Sequence, residues 1–180
     1  MVGALAIPTL MRPARVAWRE FQPSEGMFDV QMPAEPVKRE PVVESAGGGI
    51  TLTKNTYEAS VKGQGSALYV IVEFSPALPL VETSIYEKAL EAELTTLANN
   101  THSTVRSKDK ITVNGYHGLS YTLNPPKNLA LDRPFSTGKI IINSNYLYVM
   151  HITASESSEL REGMDKFLTP RALIELTSGK

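Results

Sequence analysis

The sequence predicts an α+β domain: a mainly antiparallel β-sheet covered by helices on both faces, an α/β/α sandwich. Three observations carry that expectation. Ala67 to Phe74 is apolar on both faces, with Leu68, Val70, Val72 and Phe74 pointing one way and Ala67, Tyr69 and Ile71 the other. Lys139 to Ala154 repeats the property, because Ile140 and Ile142 oppose Ile141, while Tyr146, Tyr148, Met150 and Ile152 oppose Leu147 and Val149. Strands of this kind need cover on both sides, which helices usually supply. The order of elements is strands, helix, strands, helix, without the regular β-α-β alternation of a parallel sheet.

The elements follow in order. Residues 1–17 read as an N-terminal tail or truncated targeting segment, and residues 18–180 as a single domain. Arg12, Arg15 and Arg19 lie ahead of the first acid, Glu20. The apolar run Met1 to Met11 falls far short of the ~20 residues that span a bilayer. A secretory signal places its positive charges before the apolar run, and here they follow it. A shortened export signal, a basic amphipathic targeting segment and a disordered tail all remain open.

Met27 to Met32 alternates, with Phe28, Val30 and Met32 on one face, and Pro33 and Pro36 end the strand. Val37 to Ser45 and Ile50 to Val61 form two strands across the turn Gly47-Gly48-Gly49. That glycine run lacks the Gly-Lys-Ser/Thr ending of a phosphate-binding loop. Gly63-Gln64-Gly65 turns the chain into Ala67 to Phe74. A helix follows, with a capping box over Ser84-Ile85-Tyr86-Glu87 and an apolar stripe of Tyr86, Leu90, Leu94 and Leu97, ending at Asn99-Asn100. Ile111 to Val113, a Gly115–Gly118 turn and Leu119 to Leu123 make a hairpin. After the loop Pro125 to Pro134 and the strands of Lys139 to Ala154, a last helix starts near Ser157-Ser158-Glu159. It buries Leu160, Met164, Phe167 and Leu168 and stops at Pro170.

Composition narrows the function by exclusion. Eighteen basic against nineteen acidic side chains give a net charge of −1, which lacks the basic surplus of a nucleic-acid-coating protein. The chain has no cysteine, so disulfides, thiolate nucleophiles and Cys-ligated metals are excluded. No segment is a membrane span, although association with a membrane stays compatible with the sequence.

Trp18-Arg19-Glu20-Phe21, followed by Ser24-Glu25-Gly26-Met27-Phe28-Asp29-Val30-Gln31-Met32-Pro33, resembles the opening of bacterial domains related to the photosystem II extrinsic protein PsbP. Ile111-Thr112-Val113-Asn114-Gly115-Tyr116-His117-Gly118 resembles their mid-domain hairpin, and Asn145-Tyr146-Leu147-Tyr148-Val149-Met150 their penultimate strand. The resemblance spans roughly residues 18–170. It implies a Mog1/PsbP-like α/β/α sandwich around an antiparallel sheet. It also implies a non-enzymatic binding or assembly module, in a family whose bacterial members are often exported or membrane-tethered. The chain departs from the pattern in having Leu119-Ser120 after the second hairpin glycine and in lacking a lipidation cysteine or a complete signal. No residue's role in photosystem or GTPase binding carries over. An extracytoplasmic, for example periplasmic, location is the expectation.

Candidate chemistry is sparse. His102, His117 and His151 lie more than ten residues apart, so no local histidine metal site exists, and no metal or other cofactor is expected. Gly118-Leu119-Ser120 lacks the closing glycine of a nucleophile elbow, so Ser120 reads as a polar strand residue and no catalytic residue is assigned. Glu156, Glu159, Glu162 and Asp165 read as a solvated helix face. Arg106, Lys108 and Lys110 read as an edge strand kept from unwanted pairing by its charges. Two candidate sites remain. Leu129 and Leu131, with Arg133 at the loop exit, are apolar residues in a proline-bounded connection that either packs on the domain or meets a protein partner. Tyr116, His117 and His151 are candidates for a small-ligand or metal site in a crevice between sheet and helix.

Overall fold

A computed structural model describes residues 15–78 and 83–172. In it the strands that are apolar on both faces become the middle of a large antiparallel sheet. The strands are β1 (Arg19–Phe21), β2 (Phe28–Met32), β3 (Val37–Lys38), β4 (Val42–Gly47), β5 (Ile50–Val61), β6 (Gly65–Ser75), β7 (Thr104–Val113), β8 (Tyr116–Asn124), β9 (Pro134–Ile142), β10 (Tyr146–Ser155) and β11 (Arg171–Ala172). The helices are α1 (Thr83–Asn100), α2 (Glu159–Glu162) and α3 (Met164–Leu168). Eight strands form the main sheet in the order β3-β5-β6-β10-β9-β8-β7, with β4 also paired to the outer edge of β5; β1-β2-β11 form a second, three-stranded sheet.

The two faces of the main sheet are covered differently. On one, Tyr86, Leu90, Leu94 and Leu97 of α1 pack on Val70, Val72, Leu119, Ile140, Ile142, Leu147 and Val149. Each such leucine stabilises the fold by about 1.5–3 kcal/mol through burial. On the other face, Phe28, Val30 and Met32 of β2 pack on Tyr69, Ile71, Ile141, Tyr148 and Met150, joined by Leu160, Phe167 and Leu168 from the short helices. The expected helical layer on this second face is therefore corrected. The small sheet takes much of it, beside helices of only four and five residues.

Gly163 explains why the last helix is not continuous. It ends α2 at φ −94°, ψ 6°. The Trp18 indole lies against it so closely that a Cβ there would stand 2.6 Å from Nε1. The Ser158 hydroxyl accepts a hydrogen bond from the Arg161 backbone N–H at 3.1 Å, capping α2 as its sequence suggests.

Local details differ elsewhere from the sequence reading. The strand expected over Val37 to Ser45 breaks into β3 and β4 around Arg39–Pro41. The helix α1 begins at Thr83, so Ser84 sits inside its first turn, and the Glu87 carboxylate accepts from Lys110 Nζ at 2.6 Å. The β7–β8 turn is Asn114-Gly115, with φ of 49° and 84°, the signature of a two-residue hairpin turn. Gly118 is instead a strand residue, where a Cβ would meet the Ile140 carbonyl at 2.7 Å. Residues 1–14 of the expected tail lie outside the described residues. Val16 and Trp18 pack against the core, and the Ala17 N–H donates to the Pro33 carbonyl at 3.1 Å.

Candidate functional site

One helix cannot cover this sheet. A helix with its side chains is about 10–12 Å across, whereas neighbouring strands lie about 4.8 Å apart. The α1 backbone comes closest to β7, β8 and β9, and on the opposite side it leaves a gap against the β4–β5 hairpin. The result is an apolar groove of about 600 Å³. Leu52, Val72 and Phe74 line it from the sheet, Ile85 and Ala89 from α1, and Val42 from β4.

One ion pair reaches into this apolar lining. Lys54 on β5 stands two residues from Leu52 and so shares its face. Glu93 stands one helical turn after Ala89. Lys54 Nζ lies 3.5 Å from Glu93 Oε1. Burial pushes the Glu93 carboxyl up, Lys54 pulls it back down, and the nearby Glu44 carboxylate adds to the rise. Glu44 also lines the groove, so among the described residues its charges are two carboxylates and one ammonium.

Beside the groove lies an open sheet edge. The β4 strand pairs with β5 from Val42↔Lys54 to Gly47↔Ile50, and among the described residues no strand pairs with its other side. All six of its residues are exposed, Val43 by 65%. The β4–β5 pairing shifts register between Ser45 and Gly47, and the far edge of the sheet differs from this one in charge. There β7 bears Arg106, Lys108 and Lys110, is bulged between Val105 and Ser107, and is tied to α1 by Lys108–Glu91 and Lys110–Glu87 ion pairs. The basic cluster read from sequence is thus an edge strand whose two lysines are matched by helix carboxylates.

The other candidates fall in separate places. Tyr116 packs edge-on against Phe28, with centroids 5.9 Å apart, on the face of the small sheet. His117 is exposed on the α1 face and stacks on Tyr86 at 5.7 Å. His151, on β10, is buried, with Tyr121 Oη 3.2 Å from Nδ1 and the Ser136 and Thr153 hydroxyls 3.2 Å from Nε2. The three do not converge on one crevice. Burial pulls the His151 pKa down to about 4, so it is a neutral, hydrogen-bonded core histidine. Among the described residues, no group of three or more His, Asp or Glu side chains is placed to hold a metal.

The loop candidates divide. Leu131 is half-buried and Leu129 exposed, and both line a depression of about 250 Å³ with Pro125, Pro126 and Thr153. Arg133, at φ 41°, lies 3.8 Å from Glu156, and the Glu156 N–H donates back to the Asp132 and Arg133 carbonyls. The loop therefore folds back on the domain and exposes one leucine. Sequence reading missed the β4 edge. Its signal was Val42-Val43, two apolar residues in succession ahead of the glycine turn.

No helix among the described residues is long and apolar enough to cross a membrane. No protein-family model and no curated protein matches the sequence. Among solved structures, the chain is similar to the solution structure of cyanobacterial PsbP (CyanoP) from Synechocystis sp. PCC 6803. That match covers 93% of this chain and 97% of the other, with a TM-score of 0.54 and 8% sequence identity. At such identity the likeness carries the fold alone. The eight-stranded antiparallel sheet, with α1 on one face and the small sheet on the other, makes this a chain of PsbP-like fold.

Proposed function

We propose that the chain is a non-enzymatic protein-binding or assembly-assisting module that docks a partner along β4 and the groove beside it. The observation that supports this reading is the asymmetry of the two sheet edges. Both edges are bulged, but β7 carries a row of basic side chains tied to α1, whereas β4, among the described residues, presents unpaired backbone next to apolar side chains. Such an edge is a template for strand addition unless it is blunted. Val37, Val42 and Val43, exposed by 68%, 48% and 65%, lie on this side of the sheet. A small ligand is the alternative occupant of the same groove. Lys54 and Glu93 face each other there, which leaves the apolar lining and Glu44 to recognise it.

The test is affinity capture of a soluble and a membrane fraction with the wild-type chain and with Val42→Asp/Val43→Asp. Both valines are exposed, so the variant should unfold within about 0.5 kcal/mol of wild type. A stoichiometric partner held by wild type and lost by the variant supports the reading. Equal capture by both, or none by either, contradicts it.

A further inference from the structure

We propose that the segment docked on β4 is an extended strand of another protein, carrying a lysine or arginine opposite Glu44 and apolar residues two positions to either side. This rests on the protein-binding reading above and names the chemistry of its partner. Along β4, the residues Val42, Glu44 and Ala46 line the groove, and Val43 and Ser45 alternate with them. A strand added to the outer edge places the side chain opposite Glu44 on the groove side, with its neighbours at two-residue spacing beside Val42 and Ala46. Those neighbours extend the apolar lining. The central one meets an excess of negative charge, since among the described residues the groove is lined by Glu44 and Glu93 and by one ammonium, Lys54, which pairs with Glu93. Burial and the proximity of Glu44 both push the Glu93 carboxyl up, so a further cation there relieves an existing repulsion.

The same geometry disfavours a second copy of this chain in one of its two central registers. Two β4 strands paired antiparallel about a two-fold axis through Glu44 would set Glu44 opposite Glu44 of the other copy, whereas an axis through Ser45 would set it opposite Ala46. Like charges directly opposite across strands are destabilising. A basic strand has no such conflict.

The test uses the full chain, labelled for amide spectroscopy, and two capped nine-residue peptides of sequence Ser-Thr-Leu-Thr-X-Val-Leu-Thr-Ser, with X either lysine or glutamate. The lysine peptide should shift the amide signals of Val42 to Gly47 and bind about tenfold more tightly than the glutamate peptide. Glu44→Gln, alone and combined with Glu93→Gln, should erase that preference while leaving the melting temperature close to wild type. Equal binding of both peptides at β4 overturns the charge inference and leaves docking at β4 standing. No shift of β4 signals by either peptide overturns the inference, and the capture experiment then decides separately whether β4 meets protein at all. Concentration-dependent β4 shifts without peptide, with a dimer mass by light scattering, overturn it in favour of a second copy.

Discussion

Tyr121 and His151 lie stacked in the core, their ring planes within 10° and their centroids 5.9 Å apart, with the phenol oxygen 3.2 Å from Nδ1. The pair exists because Gly138 stands between them on β9, paired with Tyr121 on one side and His151 on the other. Ser136 and Thr153 complete the ring of hydroxyls around the imidazole.

Stability should therefore depend on pH through His151. Its pKa falls from 6.5 in the open chain to about 4 when folded. Below the unfolded value the open chain binds a proton that the folded chain refuses, so the stability present above pH 6.5 is lost as pH falls toward 4. The loss should reach roughly 3 kcal/mol, because each tenfold difference in proton affinity between the two states is worth about 1.4 kcal/mol. Urea unfolding across this range checks it. His151→Gln should lower stability throughout and remove this component of the slope; an unchanged slope in the variant would assign it elsewhere.

Gly138→Ala should destabilise by more than about 2 kcal/mol, as overpacking of a close-packed interior does. An added Cβ would clash with both Tyr121 Oη and the Met150 carbonyl oxygen. Removing the phenol oxygen with Tyr121→Phe should not rescue it, because the carbonyl contact remains. Full rescue, read by thermal melting, would show that the side chain alone sets the constraint.

Leu94→Ala should cost about 2–5 kcal/mol, the range for truncating a fully packed leucine. Leu94 is 2% exposed at the centre of the α1 stripe. Denaturant unfolding with an unchanged m-value is the check.

The two loop leucines should separate. Leu129→Asp should change stability by less than about 0.5 kcal/mol, as exposed sites do, whereas Leu131→Asp should cost about 1–3 kcal/mol. Equal effects, read by thermal melting, would mean that the loop does not pack as described.

Much of the core could be read in advance from alternation. The division of Val70, Val72 and Phe74 from Tyr69 and Ile71, and of Ile140 and Ile142 from Ile141, is the division between the two buried clusters. Period-two patterning states which side chains share a face, and nothing more. It does not say what covers that face, so it cannot tell the small sheet built by β2 from a helical layer. Gly163 has the sequence context of an ordinary helix residue; only the fold places Trp18, distant in the chain, against it. The candidate site was less legible, because an open edge is a property of sheet order. Nothing local in Val42-Val43 states that β4 has β5 on one side and, among the described residues, no strand on the other.

The docking claim is tested most directly by hydrogen exchange on the full chain, free and in complex with the captured partner. The amides of Val42 to Gly47 should exchange rapidly in the free chain and become protected in the complex, with β7 unchanged. Protection confined to β7 or to residues 125–133, with β4 exchanging as before, would contradict it.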